Sequence, residues 1–152
     1  MASPKVGDVA PEFTLPSGDG GTVTLKGLRG KTVILYFYPK DNTSGCTKEA
    51  CEFRDSAKVI ERKGAVIIGV SADSAASHRK FAEKYELPFP LASDEQKEVI
   101  KKYGVWKQKS MYGKKYMGIE RTTFVIDPKG VITHVFPKVK VDGHVDAIID
   151  LL

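Results

Sequence analysis

Two cysteines, Cys46 and Cys51, stand five positions apart in the stretch TSGCTKEACEF (Thr43–Phe53), and the chain has no others. That separation is too wide for a CxxC redox dithiol, and no second CxxC completes a zinc site. The three histidines, His78, His134 and His144, are scattered without ligand spacing and read as surface or strand residues rather than metal ligands. What remains is thiol chemistry. The reactive form of cysteine is the thiolate, which a helix N-terminus favours through its macrodipole and its unpaired backbone N–H groups. Cys46 falls where a buried strand has just ended and a helical pattern begins.

The helical pattern runs from about Cys46 to Lys63. Cys46, Ala50, Phe53, Ala57 and Ile60 recur at alternating steps of four and three, which places them on one apolar stripe. Cys51 falls on the polar row with Thr47, Arg54 and Lys58. Across five residues of ideal helix two Cα atoms are roughly 8–9 Å apart. A disulfide needs them within about 7 Å. A Cys46–Cys51 bond therefore requires the first helical turns to unwind, which suits a transient bond and not a permanent one. Taken by type alone, Cys51 is equally a small buried hydrophobe. For Cys46 the loop PKDNTSG at a strand-to-helix turn argues against an inert role.

The elements that must position these residues alternate. TVTL (Thr22–Leu25) reads as a short edge strand, and TVILYFY (Thr32–Tyr38) as a strand buried on both faces and ended by Pro39. After the cysteine helix, closed by Gly64, AVIIGVS (Ala65–Ser71) is another buried strand. DSAASHRKFAEKYE reads as a helix capped by Asp73 or Ser74, PFPLASD as a short strand and EQKEVIKKYG as a short helix. TTFVIDPKGVITHVF is a hairpin about Asp127–Gly130, and GHVDAIIDLL is a last helix with Val145, Ile148, Ile149 and Leu152 inward. Alternation followed by an antiparallel hairpin implies an α/β fold, a central mixed β-sheet flanked by helices, for which the thioredoxin-like arrangement is the obvious candidate.

With 152 residues the chain fits one domain, and 41% hydrophobic with 28% charged residues is ordinary for a soluble globular protein. No apolar run approaches the roughly 20 residues of a membrane helix. The opening MASPKVGDVAPEF lacks the pattern of a signal peptide, so the default location is cytoplasmic, and Asn42-Thr43-Ser44 is then a chance match to a glycosylation acceptor. The net charge of +5 owes much to Lys97–Lys115, which carries seven lysines and one acid. Lacking arginine and any nucleic-acid-binding motif, the segment reads as a solvated lysine-rich helix and loop, with no nucleic-acid partner.

At YFYPKDNTSGCTKEAC the sequence resembles the peroxiredoxins, most closely their Q-type or bacterioferritin-comigratory branch. Pro39, Thr43 and Cys46 match the family's PxxxTxxC motif, and GIERTTFVIDPKG places Arg121 where the family carries its active-site arginine. VGDVAPEFTLP, KSMYGKKYMGIER and KVKVDGH are also similar, so the likeness runs from Val6 to about Leu151. It implies one thioredoxin-like domain over residues 1–152, with no metal, haem or flavin cofactor. Cys46 would attack the peroxide and become a sulfenic acid, and Cys51 would resolve it as a disulfide. Pro39 would shield the pocket, Thr43 would offer its hydroxyl, and Arg121 would supply fixed donors to thiolate and peroxide. Electrons would come from thioredoxin or a similar dithiol, and the branch implies a monomer.

By residue type alone Pro39 merely ends a strand, Thr43 is a turn residue and Arg121 is a surface ion-pair partner. Glu49 and Arg54 stand close enough in sequence to help position the site, whereas Tyr38 reads as packing. Two departures matter. Ser44 replaces the proline of the usual TPGC, and SHRKFAEKYE holds no cysteine to compete with Cys51. Two other functions use some of the same features. A disulfide reductase would need a CxxC, which is missing, whereas a redox sensor or holdase would share the same two thiols.

Overall fold

The computed structural model describes residues 3–152. An N-terminal hairpin pairs β1 (Thr14–Pro16) with β2 (Thr22–Thr24), so the strand expected at Thr22–Leu25 forms, and its partner is one the sequence did not announce. A 3-10 turn, Lys26–Leu28, leads to β3 (Thr32–Phe37). Then come α1 (Ser44–Arg62), β4 (Ala65–Ser71), α2 (Ala75–Tyr85), β5 (Leu91–Ser93) and α3 (Glu98–Lys102). The chain finishes with a hairpin of β6 (Trp106–Met111) and β7 (Lys114–Ile119), a second of β8 (Thr122–Ile126) and β9 (Ile132–Phe136), and α4 (His144–Leu151).

The central sheet has the strand order β5-β4-β3-β8-β9, parallel across β5, β4 and β3 and antiparallel beyond. β3 is its middle strand and explains the continuous apolar run of TVILYFY. Val33, Leu35 and Phe37 enter one hydrophobic layer with Phe13, Tyr103 and Phe124. Ile34, Tyr36 and Tyr38 enter the opposite layer with Cys46, Phe53, Phe81 and Ile148, which α1, α2 and α4 supply. Alternating side chains of one strand thus feed both layers of the core. The arrangement is the expected thioredoxin-like one.

α1 starts two residues earlier than the cysteine stripe suggested, with Thr43 at its N-cap, and Gly64 closes it in the left-handed region at φ +80°. Ser74 caps α2, accepting from the Ser77 N–H at 3.1 Å. The lysine-rich stretch corrects the sequence reading. Only Glu98–Lys102 is helical, and residues 106–119 form the β6–β7 hairpin in place of a loop. Its two-residue turn, Tyr112 at φ +52° and Gly113 at φ +77°, has the positive dihedrals of a type I′ turn, whose twist matches that of antiparallel strands.

Candidate active site

Cys46 is the third residue of α1 and is 1% exposed, held in the apolar layer by the stripe that continues through Ala50, Phe53 and Ile60. The first α-helical bond is donated by Thr47 N–H to the Thr43 carbonyl at 2.8 Å. The N–H groups of Ser44, Gly45 and Cys46 precede it and have no partner within the helix. Thr43 makes no side-chain cap to them. Its hydroxyl donates instead to the Lys40 carbonyl at 2.9 Å, leaving oxygen lone pairs at the exposed mouth of the turn. Cys46 therefore sits in the first turn of α1, at the positive end of the helix where three N–H donors are uncommitted.

Arg121, between β7 and β8, completes this arrangement. Its Nη2 donates to Cys46 Sγ at 3.3 Å and its Nη1 to Glu49 Oε1 at 2.6 Å. The guanidinium fork spans a thiol and a carboxylate that lie one helical turn apart on the same face of α1. Burial opposes the Arg121 charge, but Glu49 and Cys46 hold the group above its ordinary range. Glu49 is fully buried; that burial pushes its carboxyl up to about 7 against the pull of Arg121. Its Oε2 has no hydrogen-bond partner among the described residues, and neither has the hydroxyl of Tyr36. Burial, then the charges of Glu49 and Cys46, push the Tyr36 phenol well above its usual range. Gly45 leaves room for the arginine, since a Cβ there would lie 3.2 Å from Arg121 Nη2.

Cys51 lies farther along the unbroken helix, partly exposed, and both thiols are free. Pro39 follows the end of β3, partly buried, just after Tyr38 N–H bonds the Val70 carbonyl at 3.1 Å. The structure thus brings Cys46, Arg121 and Glu49 into direct contact, with Thr43 at the cap of the same turn. Arg54 is directed elsewhere, donating to the Tyr85 carbonyl at 2.8 Å. Two histidines correct the sequence reading. His78 and His144 are buried, not on the surface. His144 Nε2 lies 2.8 Å from Thr123 Oγ1, and burial followed by the nearby Arg121 charge lowers its pKa to about 4. Two surface cavities of about 470 and 380 Å³ run along α2, and Cys46 lines neither.

Sequence reasoning missed the weight of Glu49, although its place three residues after Cys46 is a signal for a shared helix face. It also missed Lys109 of β6, a partly buried cation whose pKa is lowered by burial and then by Arg121, and which feels the Cys46 charge.

A thiol at a helix N-terminus, with an arginine fixed on its sulfur and set into a thioredoxin-like sheet, defines a thiol peroxidase by class. The AhpC/TSA family profile matches residues 6–135. The chain is 55% identical to the putative peroxiredoxin bcp of Coxiella burnetii over 148 residues, covering 97% of this chain and 98% of that one. It is 50% identical to peroxiredoxin Bcp of Bacillus subtilis, with 93% and 90% covered. Among solved structures, a trapped intermediate/ligand complex of the Xanthomonas campestris bacterioferritin comigratory protein, described for its alkyl peroxide reduction activity, superposes with a TM-score of 0.87. It shares 40% identity over 91% of this chain and 88% of that one. The chain belongs to the AhpC/TSA family, in its Q-type or bacterioferritin-comigratory peroxiredoxin branch, and is a thiol-dependent peroxidase.

Proposed function

We propose that Cys46 is the peroxidatic cysteine and that Cys51 resolves it within the same chain. The Cys46 thiolate attacks one peroxide oxygen and the O–O bond breaks. The leaving oxygen takes up a proton as water or alcohol, and Cys46 is left as a sulfenic acid. Cys51 then condenses with it, forming the S–S bond and releasing water. The observation that carries this reading is the Arg121 fork, 3.3 Å from Cys46 Sγ and anchored at 2.6 Å on buried Glu49. A fixed cation there stabilises the thiolate and the negative charge developing on the peroxide oxygens.

The first-turn N–H groups of α1 add donors, and Thr43, whose O–H donates to the Lys40 carbonyl, accepts from the peroxide O–H. Pro39 covers the approach to the pocket. Thioredoxin or a similar dithiol protein returns the disulfide to two thiols. The substrates are hydrogen peroxide and small organic hydroperoxides, in line with the alkyl peroxide reduction described for the Xanthomonas relative. The protein acts as a cytoplasmic monomer with one thioredoxin-like peroxiredoxin domain over residues 1–152. The match along nearly the whole chain supports the single domain, and no helix among the described residues is long and apolar enough to cross a membrane.

Peroxide consumption coupled to thioredoxin oxidation tests the assignment. Cys46→Ser abolishes turnover. Cys51→Ser consumes one equivalent of peroxide per chain and then stalls, with Cys46 trapped as a sulfenic acid. Steady cycling at the wild-type rate in either variant contradicts the role assigned to that residue.

A further inference from the structure

One buried polar network beside α1 takes no part in the chemistry assigned above. Its centre is Asp41, in the loop between β3 and α1. Asp41 Oδ1 accepts from the Tyr38 hydroxyl at 2.5 Å, and Oδ2 accepts from Ser77 Oγ at 2.8 Å and pairs with His78 Nδ1 at 2.7 Å. The Asp41 N–H donates to Asp73 Oδ2 at 2.8 Å. His78, 0% exposed, reaches on through Nε2 to the Ala92 carbonyl of β5 at 3.0 Å. The oxygens and nitrogens of Asp41, Asp73 and His78 are close enough together to hold a cation, but both Asp41 oxygens already have protein partners, so the cluster is a fastening and not a metal site.

Every one of these Asp41 bonds runs to the end of β3, to α2 or to the β4–α2 loop, and none runs to α1. The next residue, Asn42, is left-handed at φ +60°, a region that asparagine enters more readily than most residues, and α1 begins two residues later. The far end of the cysteine segment is equally fixed. Phe53 is 0% exposed, with its ring stacked on Tyr36 at 4.8 Å between centroids. Between these two anchors lie both thiols, in a segment held by the burial of Cys46 and Ala50 in the apolar layer, by the Arg121 contacts, by an exposed Lys48–Asp142 ion pair and by long bonds from Lys84 and Tyr85 to Asn42 Oδ1 at 3.4 Å.

We propose that Asp41 and His78 form a clamp that sets the N-terminal limit of the opening through which Cys46 reaches Cys51, confining it to residues 42–52. The inference rests on the resolving role given to Cys51 above. With both ends held, the helix start unravels and rewinds while the sheet and α2 stay in place. Asp41 and His78 are positioning residues, since they act on the cysteine segment through its attachment point.

Residue-resolved amide hydrogen exchange tests the boundary, in the reduced protein and after one equivalent of hydrogen peroxide. In the wild type the Asp41 amide exchanges at least ~10-fold more slowly than those of residues 47–51 in both states, because it belongs to the part that stays closed. His78→Asn moves the Asp41 amide into the fast set, and the milder Ser77→Ala, which keeps the rest of the network, moves it partway. In single-turnover mixing the two steps respond oppositely. Attack on peroxide slows as the N-cap loosens, while the ensuing disulfide forms faster, each by about 3-fold or more in His78→Asn. Ile132→Val in β9, a mild change in the apolar layer on the other face of the sheet, leaves both steps and the Asp41 amide unchanged.

Exchange of Asp41 together with residues 42–52 in the wild type overturns the clamp, as does an unchanged Asp41 amide in His78→Asn. If mass analysis finds no Cys46–Cys51 bond, the resolving role falls, and the boundary in the reduced protein still decides the clamp.

Discussion

Replacing Arg121 by methionine removes the cation on Cys46 while leaving a side chain of similar length in the gap. The magnitude follows from the geometry. A unit charge 3.3 Å from Sγ is worth about 5 kcal/mol at an effective dielectric near 20. Glu49 takes part of that field, because the same guanidinium donates to it at 2.6 Å. Removing one fixed donor from a developing anion costs about 3–4 kcal/mol in comparable sites, so a loss of about 3 kcal/mol, or roughly 10²-fold in rate, is expected. The assay is rapid mixing of reduced protein with hydrogen peroxide under single-turnover conditions, following disappearance of the Cys46 thiol. Arg121→Lys keeps the charge, but one ammonium cannot span both partners, so it recovers only part of the loss. Removing Arg121 also leaves Glu49 buried without its cation, which pushes its carboxyl further up and lowers stability. The double variant with Glu49→Gln separates the two effects, restoring melting temperature without restoring the rate. An Arg121→Met rate within about 3-fold of wild type, in a protein that remains folded, refutes the argument that this cation drives the attack.

Gly45→Ala has effects of opposite sign. Alanine is the better helix former by about 0.5–1 kcal/mol, yet its Cβ lies 3.2 Å from Arg121 Nη2. Denaturant unfolding is expected to show a more stable protein and single-turnover mixing a peroxide rate several-fold slower, by the cost of a small misplacement. Glu49 gives a pH dependence. Its folded pKa is raised from 4.5 to about 7, so its contribution to stability is complete below the unfolded value and is lost as pH rises through the folded one. Denaturant midpoints should therefore show Glu49→Gln gaining on the wild type between pH 4.5 and 7, by on the order of 3 kcal/mol. A gap that stays constant with pH contradicts that burial cost.

The order of elements was legible because burial imposes it on the sequence. TVILYFY and AVIIGVS are apolar throughout because β3 and β4 lie inside the sheet, and the stripe from Cys46 to Ile60 is the buried face of α1. The β6–β7 hairpin was not legible. Most of its side chains are exposed on both faces, so no period-two alternation marks it, and its lysines read equally well as a solvated helix. The same contrast holds at the site. Cys46 stands at a strand-to-helix turn that marks it in the sequence, whereas Pro39, Thr43 and Arg121 came only with the family likeness. The pairing of Arg121 with Glu49 joins residues 72 apart in sequence, and that of Asp41 with His78 joins residues 37 apart. Such contacts arise from the packing of α1 and α2 on the sheet, and no local pattern encodes them. Reading His78 and His144 as surface groups failed for this reason. Each is buried because a distant Asp41 or Thr123 supplies its partner.

The two thiols, kept apart on one intact helix, are expected to bond to each other during turnover. Intact-mass and peptide analysis of the reduced chain after one equivalent of hydrogen peroxide tests it directly. The expected product has lost the two thiol hydrogens and yields a peptide cross-linked between Cys46 and Cys51. Quantitative accumulation of a Cys46 sulfenic acid beside a free Cys51 thiol, or a disulfide only between chains, contradicts it.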